Sequence, residues 1–157
     1  MTYAVPLSDG SFGIAQAGEA MMTNVVYVAL FSNRLPVLPD RPPELERKSA
    51  IALSATWRQA LNRGDWPSLK LAAEVFQKAE FPNERFAPGY VGAKHCDAGV
   101  LRDFLSAYHG LIPWNAMHDP AFYDNLLMPG LNRPDSAVLL GEQVRARYRQ
   151  EVFGVDA

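Results

Sequence analysis

The chain has 157 residues, 48% of them hydrophobic and 20% charged, a size and composition that bury one core and exclude global disorder. Lys plus Arg number 15 and Asp plus Glu 17, a net charge of −2. That balance argues against a broad basic nucleic-acid footprint and against an acidic mimic of DNA. The single cysteine, Cys96, excludes an internal disulfide and a multi-thiolate zinc site.

In chain order, residues 3–7 read as a short strand and residues 11–17 as another. Between them Ser8-Asp9-Gly10 supplies turn chemistry: Asp accepts a local backbone hydrogen bond and Gly tolerates positive φ. Pro6 lacks a backbone donor and suits an edge strand. Residues 24–32 carry Val25, Val26, Tyr27, Val28 and Phe31 in an almost continuous apolar run, the pattern of a strand buried on both faces. Short links between the three favour an antiparallel meander. Pro36, Pro39, Pro42 and Pro43 then impose a loop over residues 33–43. Residues 49–53 read as a fourth strand, and Ser54 as the N-cap of a helix carrying Trp57, Ala60 and Leu61 and stopped by Gly64. Residues 68–79 fit either a helix, through Leu69, Ala72, Ala73, Phe76 and Ala79, or a strand.

The second half reads as helical. Asp97 opens a helix with Leu101, Phe104, Leu105 and Tyr108 on one face, ending at Gly110. Asp119-Pro120 is a second start signal, with Pro at the first helical position, and Pro129-Gly130 is its stop. A last helix lies within residues 136–153, where Leu140, Val144 and Tyr148 recur every four residues and Ser136 serves as cap. Arg145, Arg147 and Arg149 lie about 200° apart pairwise, so they form no single basic stripe. The expected fold is α+β: a small antiparallel sheet from an N-terminal meander, followed by a helical C-terminal half. As one domain, residues 1–53 are mainly β and residues 54–157 mainly helical.

The longest strongly apolar stretch, residues 25–31, is far short of the roughly 20 residues of a membrane-spanning helix. The N-terminus has no basic leader, and Asp9-Gly10 interrupts it. The expectation is a cytoplasmic protein without membrane association.

Candidate chemistry is sparse. His95-Cys96-Asp97 brings together the residue types of an activated thiol, in which His takes the proton and a carboxylate orients the ring. Its structural counterpart makes Asp97 a helix cap and Cys96 a small buried residue. His109, His118 and Asp119, with His95, are metal-ligating types. However, they lack the spacing of a zinc motif, and His109 beside Gly110 suits a helix C-terminus as a cation. Asp135-Ser136 occurs without a nucleophile elbow. Gly89-Tyr90-Val91-Gly92 lacks phosphate-loop spacing. The pairs Glu44 with Glu46 and Glu80 with Glu84 are indistinguishable from solvated surface charge. Three Trp, six Tyr and eight Phe fit a core or a protein interface. Trp57 and Trp66 read as packing residues, and Trp114, in an interhelical loop, as the better exposed candidate.

The segment Tyr3-Ala4-Val5-Pro6-Leu7-Ser8-Asp9-Gly10-Ser11-Phe12-Gly13-Ile14-Ala15 resembles the opening of the immunity protein 26 family: an apolar strand, a Pro-Leu, an Asp-Gly turn and an aromatic-Gly strand. Leu61-Asn62-Arg63-Gly64-Asp65-Trp66-Pro67 is similar to the family segment in which a helix ends at Gly and Trp follows two residues later. Ser68-Leu69-Lys70 departs from that family's glycine-containing continuation. The likeness spans about residues 1–86, and the helical region from Asp97 has no counterpart in it. The resemblance implies a bacterial immunity protein that neutralises a cognate protein toxin by direct contact, with no catalytic residues, cofactor or metal. Loops 33–43 and 111–119, rich in Pro and apolar residues, are the expected contact regions. The reading from a different class is a small hydrolase or transferase using His95, Cys96 or His118.

Overall fold

A computed structural model describes residues 1–81 and 95–155. Glu84 and the segment Gly89-Tyr90-Val91-Gly92 lie outside them. The strands are β1 (Thr2–Pro6), β2 (Phe12–Met22), β3 (Val25–Leu35) and β4 (Ala50–Trp57). The helices are α1 (Arg58–Asn62), α2 (Ala98–Tyr108), α3 (Phe122–Leu126) and α4 (Glu142–Phe153). The fold is α+β, with a four-stranded antiparallel sheet in the order β1-β2-β3-β4 and helices in the C-terminal half.

The meander forms as its residues dictate. Asp9 Oδ1 accepts the Ser11 N–H at 3.0 Å, and Gly10 takes φ of +87°, which L side chains adopt only with strain. Arg34 on β3 reaches back to Asp9 at 2.5 Å. Pro6 sits on edge strand β1, opposite Phe12. In β3 the alternation of the pleat divides one apolar run between two cores. Val26, Val28 and Leu30 join Leu101, Phe104, Leu105, Trp114 and Tyr123. Val25, Tyr27, Ala29 and Phe31 join Leu69, Phe76 and Phe81. On that second face Tyr27 stacks on Phe81, ring centroids 4.6 Å apart.

The two outer strands are partly covered. Along β1, the Ala4 N–H donates to Pro67 O and the Leu69 N–H to Thr2 O, with a bridge between Tyr3 and Ser68. Along β4, Met128 N–H donates to Ile51 O and Cys96 N–H to Ala55 O, each at 2.9 Å.

Several local expectations change. Ser54 is no helix cap: β4 runs through it to Trp57, because pairing with β3 continues to Val25 opposite Trp57, and α1 starts only at Arg58. Residues 68–77 are neither a helix nor a strand of the sheet, and only a single 3-10 turn, Lys78–Glu80, follows them. Buried Gln16 on β2 holds this segment by acting as a peptide group: its Nε2 donates to Ala73 O and its Oε1 accepts the Val75 N–H, both 3.0 Å. Leu69 and Phe76 are thereby fixed in the core while Ala73 stays exposed.

Asp119 does cap locally, accepting the Ala121 N–H at 2.8 Å, but α3 starts at Phe122, so Pro120 precedes it. Ser136 is no cap either. It lies six residues before α4, and its hydroxyl donates to Tyr108 O at 2.7 Å. The close approach of this segment explains Gly110, whose φ is +76° and where a Cβ would stand 2.6 Å from Ser136 O.

The face α4 turns inward is not the one its apolar spacing selects. Val144 is exposed and Arg149 is 7% exposed. Arg149 Nη1 donates to Ala116 O at 2.6 Å, while Arg145 donates to Asn115 O at 2.6 Å, to His118 O and to Met117 O. The carbonyls of residues 115–118 have the side chains of α4 as donors, which outweighs burial of one valine. Asn115 completes the joint by exchanging two 2.9 Å hydrogen bonds with the backbone of Leu140.

Candidate functional site

A concavity with a mixed chemical lining opens where β4 hands over to α1 and α2 begins. It is a groove of about 500 Å³ lined by Trp57, Gln59, Ala60, Arg63, Asp65, Asp97 and the start of α2. Trp57 enters it because β4 ends there: the Arg58 N–H already donates to Asn24 O, and the indole is left 41% exposed. The His95 ring meets the indole nearly perpendicularly, with centroids 4.4 Å apart, and steadies its orientation. Arg63, following α1, pairs with Asp65 at 2.7 Å. Asp97 stands at the N-cap position of α2 in extended backbone, yet its side chain does not cap the helix.

The three neighbours His95, Cys96 and Asp97 come to the edge of this groove without forming a nucleophile–base pair. The His95 ring packs on Trp57. Burial is the main influence on Cys96 and pushes its thiol above the ordinary cysteine value; the Ser54 hydroxyl bonded to the sulfur opposes this, and Asp97 adds to it. These influences leave a protonated thiol at neutral pH, the opposite of an activated one.

The remaining candidates do not assemble. His109, at the C-cap of α2, is half-buried, and burial lowers its pKa, with Arg34 adding to the effect, so the neutral imidazole is favoured rather than the cation expected from the helix terminus. His118 and Asp119 are exposed in the loop between α2 and α3. Among the described residues no group of three His, Cys, Asp or Glu side chains converges as metal ligands would. Glu80 pairs with Arg47, and Glu46 pairs with Lys48 at 3.1 Å. Asp135 and Ser136 belong to a turn that packs on the end of α2.

Trp57 and Trp114 exchange the places expected of them, while Trp66, 2% exposed, packs in the core as expected. Trp114 is fully buried, 5.7 Å from Phe104 and 5.5 Å from Tyr123, and its Nε1 donates to Asp124 Oδ1 at 3.0 Å. Burial raises the Asp124 pKa, but hydrogen bonds from Arg133 and Trp114 outweigh it and hold the carboxyl below its ordinary value. Loop 111–119 is thus a packed part of the core rather than a free apolar surface. In loop 33–43, Val37 and Leu38 are exposed. Gln59 was not among the residues the sequence singled out, and Asp65 entered only as part of the segment 61–67. Nothing in their spacing distinguishes either from ordinary surface polarity.

No helix among the described residues is long and apolar enough to cross a membrane. No family model, curated protein or solved structure matches the chain.

Proposed function

We propose that this chain is a non-catalytic binding protein of the immunity type, which neutralises a bacterial protein toxin in the cytoplasm by direct contact. One observation carries the reading: the half-exposed Trp57, braced by His95, on the wall of a groove anchored by β4 and α2. Tryptophan on a rigid support is the residue type most enriched among the anchors of tight interfaces, because it buries a large area at little entropic cost. The segment 61–67, one of the two that resemble immunity protein 26 proteins, contributes Arg63 and Asp65 to the same groove. The class of partner rests on that resemblance. An interface of ordinary size, about 1,600 Å² in total, would extend from the groove over neighbouring surface and needs neither cofactor nor nucleic acid.

The test is a tagged pull-down from lysate of the native bacterium at moderate salt, read by mass spectrometry and followed by co-expression. The expected result is one stoichiometric partner carrying a toxin domain, whose growth inhibition is relieved by the wild-type chain and relieved less well by Trp57→Ala. No partner from cells shown to express candidate toxins, or full protection by Trp57→Ala, counts against the reading.

A further inference from the structure

We infer that the groove beside Trp57 receives a cationic side chain, a guanidinium or an ammonium, from the partner protein, an inference that rests on the binding role proposed above. The charge inventory of the groove gives the sign. Arg63 and Asp65 neutralise one another at 2.7 Å. The Asp97 carboxylate has neither a hydrogen bond nor an ion pair among the described residues and does not cap α2, so one negative charge is left over in the described lining. An apolar occupant would strip water from that carboxylate and return nothing, which is costly. An anionic occupant would face that full negative charge, which outweighs the roughly half positive charge at the start of α2. A cation meets two groups that suit it: the carboxylate of Asp97 and the indole of Trp57, the aromatic side chain that attracts cations most strongly. The edge-on His95 contact, at 80° between ring planes, fixes the indole before anything binds, and the Gln59 amide lines the same groove with a further oxygen acceptor.

The probe is the tripeptide acetyl-Gly-Arg-Gly-amide, with its citrulline counterpart as a neutral control of nearly the same shape. The chain has three tryptophans, and only Trp57 is exposed, Trp66 and Trp114 being at most 2% accessible. Indole N–H signals in proton–nitrogen correlation spectra therefore report the groove directly, the Trp57 signal being identified by its loss in Trp57→Phe. The arginine peptide should shift the Trp57 signal saturably, with a dissociation constant in the millimolar range expected of a single side chain. Asp97→Asn should weaken that binding at least about threefold, as loss of a charge-assisted contact does. Asp103→Asn, on the same helix but paired with Arg102, should leave it unchanged, and the citrulline peptide should cause no saturable shift. Equal binding of the citrulline peptide, equal binding by Asp97→Asn, or no shift at tens of millimolar peptide overturns the inference. The two proposals fail separately: a captured toxin bound equally well by Asp97→Asn removes the cation site and keeps the binding role. A saturable arginine site in a chain that captures no toxin does the reverse.

Discussion

Replacing Arg149 by Met should release α4 from the body of the protein. Arg149 is 7% exposed, and its guanidinium donates to Ala116 O at 2.6 Å and lies 5.5 Å from the centroid of the Phe153 ring. A hydrogen bond from a charged donor contributes about 1.5–3 kcal/mol, which includes the cost of orphaning the buried carbonyl. The cation–π contact adds about 0.5–1 kcal/mol. Methionine fills the volume of the stem and avoids desolvating a charge, which offsets part of the loss. The balance is a destabilisation of about 2 kcal/mol, roughly a thirtyfold change in an equilibrium. Because the docking of α4 depends on Arg149 together with Arg145, the loss should appear first as local opening. Hydrogen exchange of peptides from residues 142–153 should accelerate about thirtyfold, ahead of the sheet. Arg147→Met, on the exposed side of the same helix, should change exchange by less than threefold. If the two variants exchange alike, the helix is held by something other than arginine donors to the carbonyls of residues 115–118, and the account of its inverted face is wrong.

Gly110→Ala should cost well over 2 kcal/mol, since it adds a clash with Ser136 O at 2.6 Å to the strain of positive φ, whereas Gly10→Ala, with nothing within 4 Å, should cost only the roughly 1–2 kcal/mol of left-handed backbone; thermal unfolding of the two variants compares them. Hydrogen bonds from the Ser11 hydroxyl and backbone, with help from Arg34, bring the Asp9 carboxyl down to about 2. A lowered folded-state pKa stabilises above the unfolded value near 4, and that stabilisation is lost as pH falls from about 4 towards 2. The urea midpoints of wild type and Asp9→Asn should therefore converge over that interval. With its thiol pushed above the ordinary value, Cys96 should react with iodoacetamide more slowly than glutathione at pH 7.5. Faster alkylation, read by mass spectrometry, would contradict the environment described for the sulfur.

The sheet was legible because its signals are local. Asp9-Gly10 sets the first turn, and the run Val25–Phe31 can satisfy two cores only as a central strand. What escaped the sequence depends on partners distant along the chain. The apolar spacing of Leu69, Ala72, Ala73 and Phe76 mimics a helix face, yet the backbone there is organised by Gln16, more than fifty residues away. The stripe of Leu140, Val144 and Tyr148 follows the rule that apolar faces turn inward. In α4 that rule yields to carbonyl oxygens that require donors, and no periodicity records such a requirement. The candidate site was half visible. His95, Cys96 and Asp97 do adjoin the groove, but as a brace for an aromatic ring, a half-buried thiol and a carboxylate without a partner among the described residues. Trp57 and Trp114 could not be ranked, because exposure depends on where β4 stops and on how residues 113–115 fold against 138–140.

Each margin of the sheet is partly occupied by other segments among the described residues. Residues 67–69 lie along β1, and Cys96 and Met128 each take a carbonyl of β4. A partner approaching either margin would have to displace these segments before its own backbone could be accommodated, giving up existing hydrogen bonds to make new ones. Strand addition, a common way for one chain to capture another, is thus disfavoured in this fold, and the same coverage discourages copies of the chain from stacking edge to edge. Under the proposed binding role, recognition falls to side chains presented on the surface, which would tie selectivity to the identity of a few residues and make it alterable by single substitutions without remodelling the sheet.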